Sequence, residues 1–274
     1  MKTCNSEGQH LEVTGGQIFV RRWTPQSLVD QVPVVLLHDS LGCVQMWRDF
    51  PALLACRLNK QVIAYDRLGF GQSSPRDSPL PLDFIDEEAL TIFPDLCASL
   101  NLNRVILFGH SVGGGMAIAI ASHHAQTELC TAVITVSALA FLENQSIEGI
   151  RAAKAKFDDP VQLSKLAAYH GSKAQWVLDA WTETWLAPGL SDWSLDPYLK
   201  QVRCPVQAIH GNQDQFGSCE SPRLIADGVK AYAEAVILDG FGHVPHRENP
   251  ERILDTVERF LTRVQSGVTL RTGI

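Results

Sequence analysis

The chain has 274 residues, 45% of them hydrophobic and 19% charged, a balance that suits one large folded domain or a core with an inserted subdomain. Its net charge of −7 and isoelectric point near 5.7 argue against nucleic acid as a partner, because binding a polyphosphate needs a positive surface. The first residues, MKTCNSEGQHLEV, lack the apolar run of a signal peptide, and no stretch approaches the ~20 apolar residues of a membrane helix, so no membrane association is expected. The seven cysteines form no C-x-x-C pair and no zinc spacing, which points to reduced thiols in a cytoplasmic compartment and to no metal.

In chain order, two short alternating runs around Gly15-Gly16 predict a hairpin. PVVLLH (33–38) reads as a strand buried on both faces. A helix carrying Trp47, Phe50, Leu53 and Leu54 follows, then a second buried strand, QVIAYD (61–66). Residues 71–82, with Gly, Ser and three Pro, predict a loop, and a helix over 84–100 should bend at Pro94. RVILFG (104–109) is the third buried strand, and the small-residue helix GGGMAIAIASHH comes directly after it. TAVITVSA (131–138) is the fourth. This alternation implies a parallel sheet with helices on both faces.

Between Phe141 and Tyr198 only helical patterns appear, so residues 141–198 are expected as a helical insertion into a core of 1–140 and 199–274. The alternation resumes with CPVQAIHG (204–211), a helix over 222–232, a strand over 235–238 and a last helix over 250–264; the tail after Gly267 is expected to be loose.

The chemistry-bearing segment is Gly109-His110-Ser111-Val112-Gly113, a G-x-S-x-G that a buried strand enters and a helix leaves. A turn this tight excludes bulky neighbours and holds the serine hydroxyl at a helix N-terminus, which favours developing negative charge. Gly114 and Gly115 should then let the helix approach the sheet. The bland alternative is a serine N-cap at a Gly-rich helix start.

LLHDSLG (36–42), YDRLGFGQS (65–73), FGHSVGGG (108–115), HGNQD (210–214) and GFGHVPHRENP (240–250), in this order and spacing, resemble the α/β-hydrolase superfamily over nearly the whole chain. The resemblance implies an α/β fold with a mostly parallel eight-stranded sheet and a helical cap inserted after the sixth strand.

A serine hydroxyl needs a base within reach, and that base needs an orienting carboxylate. The resemblance places the base at His243, in the Gly-rich loop after the last strand; His246 is the rival, read as lining the entrance or capping the last helix. It places the acid at Asp214, with Glu143 and Asp66 as weaker candidates, Asp66 being read as a tie for the loop DRLGFG. His38, His110 and His210 flank strand ends and are read as hydrogen-bonding supports. Val112 should give one oxyanion-hole N–H, and Ser40, by alignment, the second.

Asp39 stands where relatives usually carry glycine. Its carboxylate would oppose an oxyanion it faced, so it should turn away, bond to nearby backbone N–H groups and fix the loop. The expected substrate-contacting residues are Asp39, His110, Phe141, Trp181, Trp185 and Val244. Arg67 and Lys173 are the cations considered for an anionic substrate group, the alternative being plain surface charge.

With serine as nucleophile, the resemblance implies a cofactor-free hydrolase acting on a small, largely apolar carboxylic ester, lactone or thioester. C–C bond hydrolases and perhydrolases remain open on the same residues, and so does a non-catalytic ligand receptor on the same fold. No nucleotide-binding fingerprint appears, and the oligomeric state is open.

Overall fold

The computed structural model describes residues 4–28 and 30–266. The tail after Gly267 lies outside them. Eight strands form one sheet in the order β1-β2-β4-β3-β5-β6-β7-β8. They are β1 (Cys4–Val13), β2 (Gly16–Pro25), β3 (Asp30–Leu37), β4 (Lys60–Tyr65), β5 (Val105–His110), β6 (Cys130–Val136), β7 (Val206–Gly211) and β8 (Ala233–Leu238). β1 and β2 form the antiparallel hairpin around Gly15-Gly16, and β2 is antiparallel to β4; β4 to β8 pair in parallel through β3.

The central strands explain why unbroken apolar runs were needed. Successive side chains of a strand point to opposite faces, and here both faces are covered. Val35 and Leu37 of β3, Ile63 and Tyr65 of β4, and Leu107 of β5 enter one core. That core is closed by α2 (Phe84–Glu87), α3 (Phe93–Leu100), α4 (Val112–His123) and α9 (Glu220–Gly228). Val34 and Leu36, Val62 and Ala64, and Ile106 and Phe108 enter the other, closed by α1 (Phe50–Leu58) and α11 (Pro250–Gln265). α4 runs through the first core, and its residues 112–121 are all buried.

The helix expected over 84–100 departs from the reading at its bend. A π turn, Glu88–Ile92, absorbs the irregularity just before Pro94, and the Phe93 N–H bonds back to the Glu88 carbonyl. Pro94 then falls in the first turn of α3, where a missing N–H costs nothing. The Ala89 carbonyl, displaced from the regular ladder, is taken by His124 Nε2 at 3.0 Å. The helix expected over 222–232 ends earlier, at Gly228, and β8 starts two residues sooner than read.

Between β6 and β7 the chain forms α5 (Asn144–Lys156), α6 (Pro160–His170), α7 (Ala174–Trp185) and the short α8 (Asp196–Leu199). Its base is a two-stranded neck: Phe141 bridges Ser194, the Leu142 N–H bonds the Trp193 carbonyl, and the Leu195 N–H bonds the Ala140 carbonyl. A small core of Phe70, Leu166, Val177 and Leu178 joins this segment to the loop after β4. His170 stitches the same seam, accepting the Gly71 N–H at Nδ1 (2.8 Å) and donating from Nε2 to the Leu41 carbonyl (3.0 Å). Lys173 donates to the Phe70 and Ser73 carbonyls. α10 (Pro245–Glu248) lies between β8 and α11. Among the described residues no helix is long and apolar enough to cross a membrane.

Candidate active site

The carboxyl ends of β3, β5, β7 and β8 are where an open parallel sheet presents loops to a ligand, and the singled-out residues gather there. Ser111 links β5 to α4 with φ 55° and ψ −124°, a backbone region costly for any residue with a Cβ. The flanking glycines show why the turn is confined. A Cβ at Gly109 would stand 2.1 Å from the Gly113 carbonyl oxygen, and one at Gly113 would stand 2.2 Å from the Leu37 carbonyl oxygen. Gly114 packs against the sheet, since its Cβ would meet that of Ala138 at 2.7 Å. Gly115 differs from expectation: it has ordinary clearance and faces a cavity rather than the sheet.

That cavity has a volume of about 300 Å³. Ser111, Val112, His243, Asp39 and Ser40 line it from the sheet side. Trp181, Trp185, Trp193, Ile150 and Phe157 line it from the helical segment. Among the described residues neither the Ser40 nor the Val112 N–H has a hydrogen-bond acceptor.

His243 Nδ1 donates to Asp214 Oδ2 at 2.8 Å. A carboxylate only accepts, so the proton is on Nδ1 and Nε2 keeps its lone pair. Asp214 is buried. Its Oδ2 also meets His210 Nε2 at 3.2 Å, and its Oδ1 accepts the Phe216 N–H at 2.8 Å. Burial alone would push this carboxyl up, but the hydrogen bonds from His210 and His243 outweigh it and hold the group well below the usual carboxylate range. Burial lowers the proton affinity of His243 below that of an ordinary imidazole, and Asp214 opposes that shift only in part.

The loop carrying the acid is clamped from α5. Gln145 Nε2 donates to the Asp214 carbonyl (2.7 Å), Ser146 Oγ to the Phe216 carbonyl (2.6 Å), and Glu143 Oε1 accepts the Ser218 N–H (2.7 Å). Glu143 thus supports the acid loop, away from His243. Phe216 stacks edge-on against the His243 ring at 4.8 Å. Glu248 accepts the N–H groups on both sides of His243, Gly242 at 2.9 Å and Val244 at 3.1 Å.

The sequence reading missed these supports. Only Glu248 had a legible signal, a carboxylate four residues after Val244 at the start of a helix.

Other residues fall where their surroundings demand. His246 neither lines the entrance nor caps α11. It is buried against Trp47, Phe50 and His110, and Asn249 caps α11 through the Arg252 N–H. His38 is buried, donating to the Asp39 carbonyl and accepting the Arg67 N–H. Asp66 ties its loop through the N–H groups of Val44 and Gln72. Arg67 is not a surface charge. It is buried, bonds the Asp39 carbonyl at 3.0 Å and lies over the Phe70 ring. Neither it nor Lys173 lines the cavity.

Three expected substrate contacts also lie outside the lining: Phe141 in the neck, Val244 under the Glu248 clasp, and His110 behind the cavity wall. Asp39 does line the cavity. Its Oδ1 accepts the Leu41 N–H at 3.1 Å, while its Oδ2 meets His110 Nδ1 at 3.1 Å.

Comparisons agree with this architecture. The chain is 22% identical over 257 residues to 2-hydroxymuconate semialdehyde hydrolase of Pseudomonas sp. (strain CF600), covering 86% of this chain and 88% of that protein. Among solved structures it superposes on 2-hydroxy-6-oxo-6-phenylhexa-2,4-dienoate hydrolase from Rhodococcus sp. strain RHA1 with a TM-score of 0.79 at 16% identity, covering 95% and 100% of the two chains. It superposes on the enol-lactonase from Burkholderia xenovorans LB400 with a TM-score of 0.71 at 19% identity, covering 93% and 100%. A sequence profile described as "Alpha/beta hydrolase family" matches residues 34–256, and the chain belongs to that family.

Proposed function

We propose that this protein is a cofactor-free serine hydrolase that cleaves a small, largely apolar carboxylic ester, lactone or thioester through an acyl-enzyme. The observation that carries the reading is the shared cavity: Ser111 at the strained β5–α4 turn and His243, bonded to Asp214 at 2.8 Å, open on the same apolar space. In this reading His243 Nε2 takes the Ser111 proton as the hydroxyl attacks the substrate carbonyl. Asp214 fixes the tautomer and stabilises the imidazolium that forms. The unpaired N–H groups of Val112 and Ser40 receive the oxyanion. His243 then returns the proton to the leaving group, and a water repeats the sequence to release the acid.

A cavity of about 300 Å³ walled by three indoles suits a short acyl or aryl group. The segment 141–198 acts as a cap that closes this space. The absence of disulfides among the seven cysteines, all within the described residues, supports a cytoplasmic setting.

A second reading, C–C bond hydrolysis, draws on the likeness to the semialdehyde hydrolase. Such a substrate carries a carboxylate, and among the described residues the cavity lining holds one cation, Lys156, at the exposed end of α5. Ester cleavage is therefore preferred. The test is a panel of p-nitrophenyl esters of rising chain length beside small lactones and a ring-fission dienone, each with Ser111→Ala as control. Turnover of short esters that is lost in the variant supports the reading. Turnover of the dienone alone would replace it with the second.

A further inference from the structure

His110, the residue before Ser111, is buried and has no place in the proton transfers above. Its ring joins two loops that the reaction needs in register. Nδ1 lies 3.1 Å from Asp39 Oδ2, on the loop carrying Ser40. Nε2 lies 2.8 Å from the backbone carbonyl of His243. Both neighbours are acceptors: Nε2 donates to the His243 carbonyl, and Nδ1 stands at ion-pair distance from the Asp39 carboxylate. Asp39 is held on its other side by the Leu41 N–H, and its own carbonyl is gripped by His38 and Arg67. Burial would push the Asp39 carboxyl up, but its bond to His110 and the nearby positive charge hold it well below the usual range.

We infer that Asp39 and His110 are a positioning pair that locks the oxyanion loop to the loop of His243 and sets the electrostatic field at that imidazole. The inference rests on the reading of His243 as the general base. The rings of His110 and His243 are 5.1 Å apart, close enough for charge on one to be felt by the other. Asp39 raises the proton affinity of His243 and His110 lowers it, so the two contributions offset each other. The other charged or titratable groups around them include Asp214 and His210 on the β7 loop, His246, Arg247 and Glu248 on α10, His38 on the β3 loop, Arg67 after β4, His170 on α6 and Lys156 on the cavity wall. None of these changes in the variants below. The pair also explains the aspartate where relatives carry glycine: its carboxylate faces a partner behind the wall.

The test is the pH profile of kcat/KM for a p-nitrophenyl ester in His110→Gln, Asp39→Asn and the double variant. Glutamine keeps an N–H for the His243 carbonyl but leaves the Asp39 carboxylate unopposed. The acid limb should rise by on the order of one pH unit. In the double variant both charges are gone and the limb should return toward its wild-type position. Asp39→Asn alone should lower kcat about tenfold, less than the 10²–10³ of deleting an oxyanion donor, with KM within about twofold.

An unmoved limb in His110→Gln, or a raised one in Asp39→Asn, would overturn the pair. Should His110→Gln fail to fold, as a lost melting transition would show, the kcat-against-KM split of Asp39→Asn decides, and wild-type constants there overturn it. Failure of the underlying reading looks different: a wild-type profile with no ionisation limb, and full activity in Ser111→Ala.

Discussion

Asp214→Asn separates orientation from charge more sharply than any other single change at this site. The amide can sit in two ways, and the surroundings penalise both. With its NH₂ group at the Oδ2 position it faces His243 Nδ1 at 2.8 Å, so the imidazole has to accept there and carry its proton on Nε2. That is the wrong tautomer for taking a proton from Ser111.

With its oxygen toward His243, the NH₂ group faces the Phe216 N–H at 2.8 Å, donor against donor. A buried backbone N–H left unpaired costs about 1–3 kcal/mol, which also loosens the loop that Gln145 and Ser146 clamp. In the first orientation the NH₂ group also meets His210 Nε2 at 3.2 Å, but that N–H keeps the Gly217 carbonyl at 3.1 Å, so this orientation is the cheaper and the folded protein should survive with its base in the inactive tautomer. The expected loss in kcat is about 10⁴, the size seen for the same change in another serine triad. The assay is steady-state hydrolysis of a p-nitrophenyl ester, with near-ultraviolet circular dichroism as the check on folding. A folded variant within tenfold of wild-type kcat would refute the reasoning.

Burial depresses the His243 ionisation, and the reaction needs that ring neutral, so kcat/KM should rise with pH through an apparent pKa below the ordinary ~6.5 and be flat by pH 7. A limb centred above 7 in the pH–rate profile would contradict this. Gly113→Ala places a Cβ 2.2 Å from the Leu37 carbonyl oxygen, an overpacking of about 1–3 kcal/mol. For a chain of this size that lowers Tm by roughly 2–12 °C, and calorimetry showing no change would count against the close approach. Trp181 lines the cavity edge-on to Phe216, so Trp181→Ala should shift preference toward longer acyl chains, read as the ratio of kcat/KM for octanoate and butyrate esters. An unchanged ratio would remove Trp181 from the substrate wall.

The sheet was legible because its central strands are buried on both faces. PVVLLH, QVIAYD and RVILFG show that directly as unbroken apolar runs. The strained serine turn was legible because glycine is the only residue that fits at 109 and 113. The sequence led to a bend at Pro94, whereas the chain has a π turn at Glu88–Ile92 with Pro94 in the first turn of α3: a π turn depends on which carbonyl finds another donor, and His124 lies thirty-five residues from Ala89.

The cavity wall was half legible. Trp181 and Trp185 face it, whereas Phe141 is drawn into the neck by backbone pairing with Ser194, which leaves no trace in side-chain pattern. Arg67 and Lys173 were read as possible anion binders or surface charge. They are instead spent on loop carbonyls, contacts that only the folded chain brings together. The partner of Asp39 was out of reach for the same reason: a bond to a nearby backbone N–H was foreseeable from charge and is met at Leu41, but the His110 ring beside its other oxygen was not.

The central claim is that Ser111 is an activated nucleophile, and a fluorophosphonate probe measures this most directly. The account predicts stoichiometric labelling of the intact protein, with the modified peptide mapping by mass spectrometry to Ser111, and labelling lost in Ser111→Ala and strongly slowed in His243→Ala. A folded wild-type protein that resists the probe, or carries the label at another residue, would contradict it.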